Sequence, residues 1–204
     1  MNLEILQLRT SSMANFSYLV YCPLSQRAVV IDPSQQTELL LQTAAEHRLS
    51  IELVINTHGH QDHIAGNPAV LAATGARWAA HPADLPQADI ALADGMILPV
   101  GVGSLRVIHT PGHTPGGIVL RSADAVITGD TLFVTRCGRA DFPGSDPAAL
   151  YQSLQTLKQL PSTTRVFPGH DYGPQPSSTI GYELEHNAYL QCPDLESFLR
   201  LRMG

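Results

Sequence analysis

An α+β fold is predicted, with two β layers packed face to face and helices on their outer sides. Three observations carry that expectation. Short apolar runs of strand length and helical patterns follow in the order strand-rich, helix, strand-rich, helix. Each half ends its strands in loops built from Gly, His and Asp. The string Thr57-His58-Gly59-His60-Gln61-Asp62-His63 follows the apolar run Leu53-Val54-Ile55, placing four metal-capable side chains at the end of one strand.

In chain order, strands are expected over 3–8, 16–21 and 28–31, the third closed by Asp32-Pro33. A helix is expected over 37–47, with Leu39, Leu40, Ala44 and Ala45 as its apolar positions. The strand 53–55 feeds the histidine loop, and a short helix over 67–74 is closed by Gly75. Further strands are expected over 77–79, 105–109, 118–121 and 125–128. Asp146-Pro147 is a helix start, with Asp at the cap and Pro in the first turn, and Leu150, Leu154 and Leu157 continue it at helical spacing. A strand over 165–167 and helices over 179–190 and 194–200 finish the chain, the last with a Leu195, Phe198 and Leu199 stripe. Gly and Pro lie dispersed in loops and not in one linker, so residues 1–204 read as one domain.

Composition narrows the function. With 44% hydrophobic and 15% charged residues, the chain reads as a globular protein able to bury a sizeable core. A net charge of −6 and the lack of a Lys/Arg block argue against nucleic acid as a partner. No apolar run approaches the length of a membrane span, so no membrane partner is expected. Cys22, Cys137 and Cys192 are odd in number and far apart, which argues against a disulfide framework. With Met1-Asn2-Leu3-Glu4-Ile5 lacking the features of a leader peptide, a cytoplasmic location is expected.

Three more loops offer metal ligands, each after a strand and beside Gly or Pro. They are Thr110-Pro111-Gly112-His113-Thr114-Pro115-Gly116, Thr128-Gly129-Asp130, and Phe167-Pro168-Gly169-His170-Asp171-Tyr172. Imidazole and carboxylate together suit zinc, iron or manganese. His47, His81, His109 and His186 match no ligand position. A solvated helix cap is expected of His47, and core or supporting roles of His81 and His109. Cys137 reads as a small packing residue.

His-x-His-x-Asp-His followed by a distal His, an Asp and a last His resembles the metallo-β-lactamase superfamily. The resemblance implies a four-layer αβ/βα metallo-β-lactamase sandwich with the metal site at one edge of the two sheets. It implies two divalent metal ions, zinc foremost, with iron or manganese as alternatives. His58, His60 and His113 would hold the first, Asp62, His63 and His170 the second, and Asp130 would bridge them. Asp32 would orient the histidine loop without binding metal. Such a pair can share a hydroxide that forms near neutral pH and can stabilise the oxyanion made when it attacks a carbonyl, so Asp62 and Asp130 count as catalytic.

Gly112-His113-Thr114-Pro115-Gly116 and Thr128-Gly129-Asp130-Thr131-Leu132-Phe133 are similar to the glyoxalase II branch. Cys137-Gly138-Arg139 sits where that branch has Cys-Gly-Lys, and Tyr172 matches a tyrosine that contacts glutathione there. Arg139 and Tyr172 are therefore substrate-binding candidates, Arg139 standing equally as an ion-pair partner for Asp141 or Asp146. The implied activity is hydrolysis of S-acylglutathione-type thioesters by a monomer or homodimer. Full-length glyoxalase II carries a further helical, basic C-terminal domain, whereas here only Arg200 and Arg202 supply positive charge beyond Tyr182, so a compact glyoxalase II-like hydrolase is expected. The same residues resemble persulfide dioxygenases, which would use a single Fe(II) on His58, His113 and Asp130 to oxidise glutathione persulfide to sulfite. A metal-stabilised scaffold without catalysis is a third reading, but seven ligand-type residues exceed what a structural ion needs. A β-lactamase role fits poorly with an N-terminus that lacks an export signal.

Overall fold

The computed structural model describes residues 2–204 and contains two six-stranded sheets. The first runs in sequence order: β1 (Glu4–Arg9), β2 (Phe16–Tyr21), β3 (Arg27–Ile31), β4 (Ser50–Ile55), β5 (Arg77–Ala80) and β6 (Ile90–Ala91). Its first pairings are antiparallel, and those from β3 to β6 are parallel. The second contains β7 (Ile97–Val100), β8 (Gly103–His109), β9 (Ile118–Arg121), β10 (Ala125–Gly129), β13 (Arg165–Pro168) and β14 (Ser178–Thr179), in the order β14-β13-β10-β9-β8-β7. Between its strands a small hairpin forms from β11 (Leu132–Phe133) and β12 (Arg136–Cys137).

Six helices complete the architecture: α1 (Thr37–Glu46), α2 (Gln61–Ile64), α3 (Asn67–Thr74), α4 (Pro147–Lys158), α5 (Ile180–His186) and α6 (Leu195–Met203). Each sheet thus begins as an antiparallel meander and then makes a parallel connection through a helix. The helical crossovers cover the outer sheet faces, while the parallel β5–β6 pair is joined by a loop.

Alternation along the strands divides the core into three layers. Between the sheets, Tyr18, Val20, Val29, Ile31 and Ile55 meet Leu105, Val107, Ile118, Leu120, Ile127 and Phe167. On the first sheet's other face, Leu19, Val30 and Val54 pack with Leu40, Ala44 and Val70 from the helices. On the second sheet's outer face, Val119, Val126 and Val166 pack with Leu150, Leu154, Leu157 and Phe198. The result is the expected four-layer αβ/βα sandwich.

Element ends follow local chemistry. Asp146 caps α4 by accepting from the Ala148 and Ala149 amides at 2.8 and 3.0 Å, with Pro147 behind it. Gly75 ends α3 in the left-handed conformation, φ 65°. Of the four apolar positions expected on α1, Leu40 and Ala44 are buried while Leu39 and Ala45 face outward. The helix expected over 179–190 stops at His186, because Asn187 takes extended backbone and its side-chain amide turns inward to the Phe133 and Arg136 carbonyls. Among the described residues, no helix is long and apolar enough to cross a membrane.

Candidate metal centre

The four ligand loops leave β4, β8, β10 and β13 and converge at one shared edge of the two sheets. Backbone bonds join the sheets there: Phe16 N–H to Gly169 O at 2.8 Å, Asp171 N–H to Ala14 O at 2.9 Å, and Ile118 N–H to Thr57 O at 2.8 Å. Gly169 lies so close to Asp130 that a Cβ would sit 2.3 Å from its Oδ1. Glycine is therefore needed for the carboxylate to reach the centre.

All seven candidate ligands meet. His58, His60 and His113 form one cluster, and Asp62, His63 and His170 form another. The Asp130 carboxylate stands between them. Its oxygens lie 3.3 Å from His63 Nε2, 3.4 Å from His113 Nε2, 3.5 Å from His170 Nε2 and 4.0 Å from His58 Nε2. Ring nitrogens also face each other, His60 Nδ1 to His113 Nε2 at 3.0 Å and His63 Nε2 to His170 Nε2 at 3.1 Å.

Four of the five site histidines are fixed from behind. His63 Nδ1 donates to Asp32 Oδ2 at 3.0 Å, His113 Nδ1 to the Arg139 carbonyl at 2.7 Å, and His170 Nδ1 to the Met13 carbonyl at 3.1 Å. His58 Nδ1 lies 3.1 Å from Thr57 Oγ1, whose own proton goes to Asp32 Oδ2. In each case Nδ1 is engaged behind the ring and Nε2 is aimed inward, where a metal would take the place of any proton it carries. His60 is turned the other way and presents Nδ1.

Asp32 sits behind the histidine loop. It accepts from the Thr57 amide at 2.7 Å, the Thr57 hydroxyl at 2.6 Å and His63, and it adopts φ 49° to do so. Both its oxygens are used, so although it lies within ligand distance of His58 and His63 it has little left to offer an ion.

Electrostatics shows the centre as a donor set in need of cations. Burial, then the neighbouring His63, pushes the His58 pKa well down. Burial opposes charge on His170 too, but hydrogen bonds to Asp130 and Asp62 prevail and raise it to about 10. On His63 burial is likewise outweighed, by Asp130 and Asp32, and the pKa rises. Asp130 is held well below the carboxylate range because the charges of His63 and His58 overcome its burial. His58 Nε2 and Asp130 Oδ1 are buried without a hydrogen-bond partner. Orphaned acceptors of this kind, aimed at one point, fit metal ions.

Three site residues carry no signal in the sequence. Asn15 is fully buried, and its amide donates to Asp62 Oδ2 at 2.7 Å while lying 3.3 Å from His63 Nε2. Met13 and Phe142 help wall a cavity of about 500 Å³ over the ligands, with Phe133, Pro143, Arg139 and Tyr172. A lone Asn, Met or Phe in a loop has no spacing pattern to mark it. Arg139 reaches the cavity wall but pairs with Asp141 at 2.9 and 2.6 Å and lies 4.3 Å over the Phe142 ring. Asp146 is occupied at its cap. Tyr172 stacks on His170 with ring centroids 4.5 Å apart. His81 and His109 lie outside the core, partly exposed and stacked on each other at 4.2 Å, and the His109 ring supports the His113 loop through Nε2 to the Pro115 carbonyl at 3.0 Å. His47 ends α1 in the solvated position expected.

The chain belongs to the metallo-β-lactamase superfamily, whose family model matches residues 13–89 and 86–170. It is 39% identical over 188 residues to a hydroxyacylglutathione hydrolase of Rhodospirillum rubrum, covering 89% of this chain and 72% of that one. Among solved structures it is similar to ETHE1 from Myxococcus xanthus, at 33% identity and a TM-score of 0.93, over 98% of this chain and 90% of that one. It is also similar to TTHA1623 in a di-iron-bound form, at 30% identity and a TM-score of 0.80, over 90% of this chain and 99% of that one.

Proposed function

We propose that this chain is a metal-dependent thioester hydrolase of the glyoxalase II type, acting on S-acylglutathione-like substrates with two divalent ions, zinc foremost. The observation that carries the reading is the Asp130 carboxylate set between two histidine clusters. His58, His60 and His113 would hold one ion, Asp62, His63 and His170 the other, and Asp130 both. When bound, the ions supply a hydroxide near neutral pH and polarise the thioester carbonyl. The chain's own residues do the remaining work. Asp32, Thr57, Met13 and Arg139 fix the ligand tautomers through the bonds described above. Met13, Phe133 and Phe142 exclude water around the acyl group, and Tyr172 and Arg139 meet the thiol portion at the cavity rim.

The relationship to a hydroxyacylglutathione hydrolase supports the substrate class, and the di-iron neighbour supports the ion count. Similarity to ETHE1 supports a second reading, a persulfide dioxygenase with one Fe(II) on His58, His113 and Asp130. Metal analysis together with turnover of S-lactoylglutathione decides between them. Two ions per chain and thioester hydrolysis are expected. One iron per chain, with oxygen uptake on glutathione persulfide and no hydrolysis, would overturn the hydrolase. His170→Ala sharpens the choice: hydrolysis should fall by at least about 100-fold, whereas a one-iron enzyme should keep its metal.

A further inference from the structure

The turn after β5 places a carboxylate where no sequence pattern points. Asp84 Oδ2 accepts from the Gly59 amide at 2.9 Å, and Asp84 Oδ1 accepts from the Gly116 amide at 2.6 Å. Gly59 stands between His58 and His60, and Gly116 is three residues beyond His113. The first loop comes from one sheet and the second from the other. A single side chain therefore ties together the two loops that carry His58, His60 and His113.

The surroundings are fitted to this contact. A Cβ on Gly116 would lie 2.7 Å from Asp84 Cγ and 2.8 Å from the Asp84 amide nitrogen. A Cβ on Gly59 would lie 3.1 Å from Asp84 Cβ. Both glycines are what lets the carboxylate reach the two amides. Asp84 is itself held: its amide and that of Leu85 donate to the His81 carbonyl at 3.1 Å, and the Leu85 side chain is buried. With both oxygens bonded to amides, Asp84 has no role as a ligand to an ion. Charge-assisted bonds to backbone amides are about twice as strong as neutral ones, so the clasp holds loop geometry well.

We propose that Asp84 is a positioning residue for the metal centre, setting the spacing of His58, His60 and His113 across the junction of the two sheets. The inference rests on the metal-site reading above. It holds for a two-ion or a one-ion centre, because His58 and His113 serve in both.

The test uses zinc titration in competition with a chromophoric chelator, melting of the zinc-free protein, and amide hydrogen exchange at Gly59 and Gly116. In Asp84→Ala, one zinc equivalent should weaken by about 10- to 100-fold, the range typical when a group that orients ligands is removed. Exchange at both glycine amides should accelerate. Asp84→Asn keeps one acceptor oxygen and should fall between wild type and Asp84→Ala, and it carries the test if Asp84→Ala does not fold. A lowered melting temperature with unchanged zinc affinity in both variants would reduce Asp84 to a structural residue and overturn the proposal. Wild-type protein that takes up no zinc or iron would instead sink the metal-site reading itself.

Discussion

At the scale of single residues, the candidate ligands were legible because they fall in four loops directly after apolar runs, and His58, His60, His113, Asp130 and His170 each stand beside a glycine. Their supports were not. Asn15 and Asp84 act through contacts made 47 and 25 or 32 positions away in sequence, and only the packed structure brings those partners together. Cys137 was read as a packing residue, and the structure adds a consequence. It is buried, and burial pushes its thiol up to about 12 despite the opposing charge of Arg202. An unfolded cysteine titrates near pH ~8.5. Between these values the folded state binds more protons than the unfolded one. Stability from this group is therefore complete below about pH 8.5 and is lost as pH rises, with a slope of at most about 1.4 kcal/mol per pH unit. Urea unfolding at pH 8, 9 and 10 should show wild type losing stability faster than Cys137→Ala. Parallel pH dependences would rule the effect out.

At the scale of elements, the strands that form the core were legible and the small ones were not. Phe16–Tyr21 and Ile118–Arg121 stand where their apolar runs placed them. Two-residue strands such as Ile90–Ala91 and Arg136–Cys137 are too short to show a period. Ile97–Val100 is a strand that no expectation placed, and it carries Pro99. That proline is tolerated because β7 lies at the sheet edge, where one row of amides has no partner strand. The helix start at Asp146 was legible in full, and its reach extends to the site. The Asp146 amide donates to Gly112 O at 2.8 Å, Ser145 Oγ to His113 O at 2.7 Å, and Ser153 Oγ to Pro111 O at 2.7 Å. The helix thus braces the His113 loop from behind. Asp146→Ala removes a side-chain acceptor from two amides and should cost about 1–2 kcal/mol in urea unfolding. Asp146→Ser should recover most of it, and an unchanged midpoint in Asp146→Ala would refute the cap.

At the scale of the whole molecule, two sheets that share one core are also bonded to each other, and the bonds lie where the ligands meet. Tyr18 is the largest fully buried side chain at that junction. Its ring packs against Phe167 at 6.0 Å in an edge contact, and its hydroxyl crosses from the first sheet to donate to the Pro168 carbonyl. Gln7 Nε2 donates to the same hydroxyl at 3.1 Å. Pro168 ends β13, two residues before His170, so the contact ties the core to the second histidine cluster. The phenol has no tendency to ionise there, since burial raises its pKa well above the usual value. Tyr18→Phe keeps the ring and leaves the buried carbonyl without this donor, a loss of about 1–3 kcal/mol. For a chain of this size that is a fall of roughly 2–12 °C in melting temperature. The zinc-free protein should show the fall, because the bond exists without any ion. Zinc titration of the same variant should show weakening confined to one equivalent, complementary to the one governed by Asp84. A variant that melts with wild type would mean that this hydroxyl adds nothing to the joint, leaving the apolar contact and the backbone bonds to hold the sheets together.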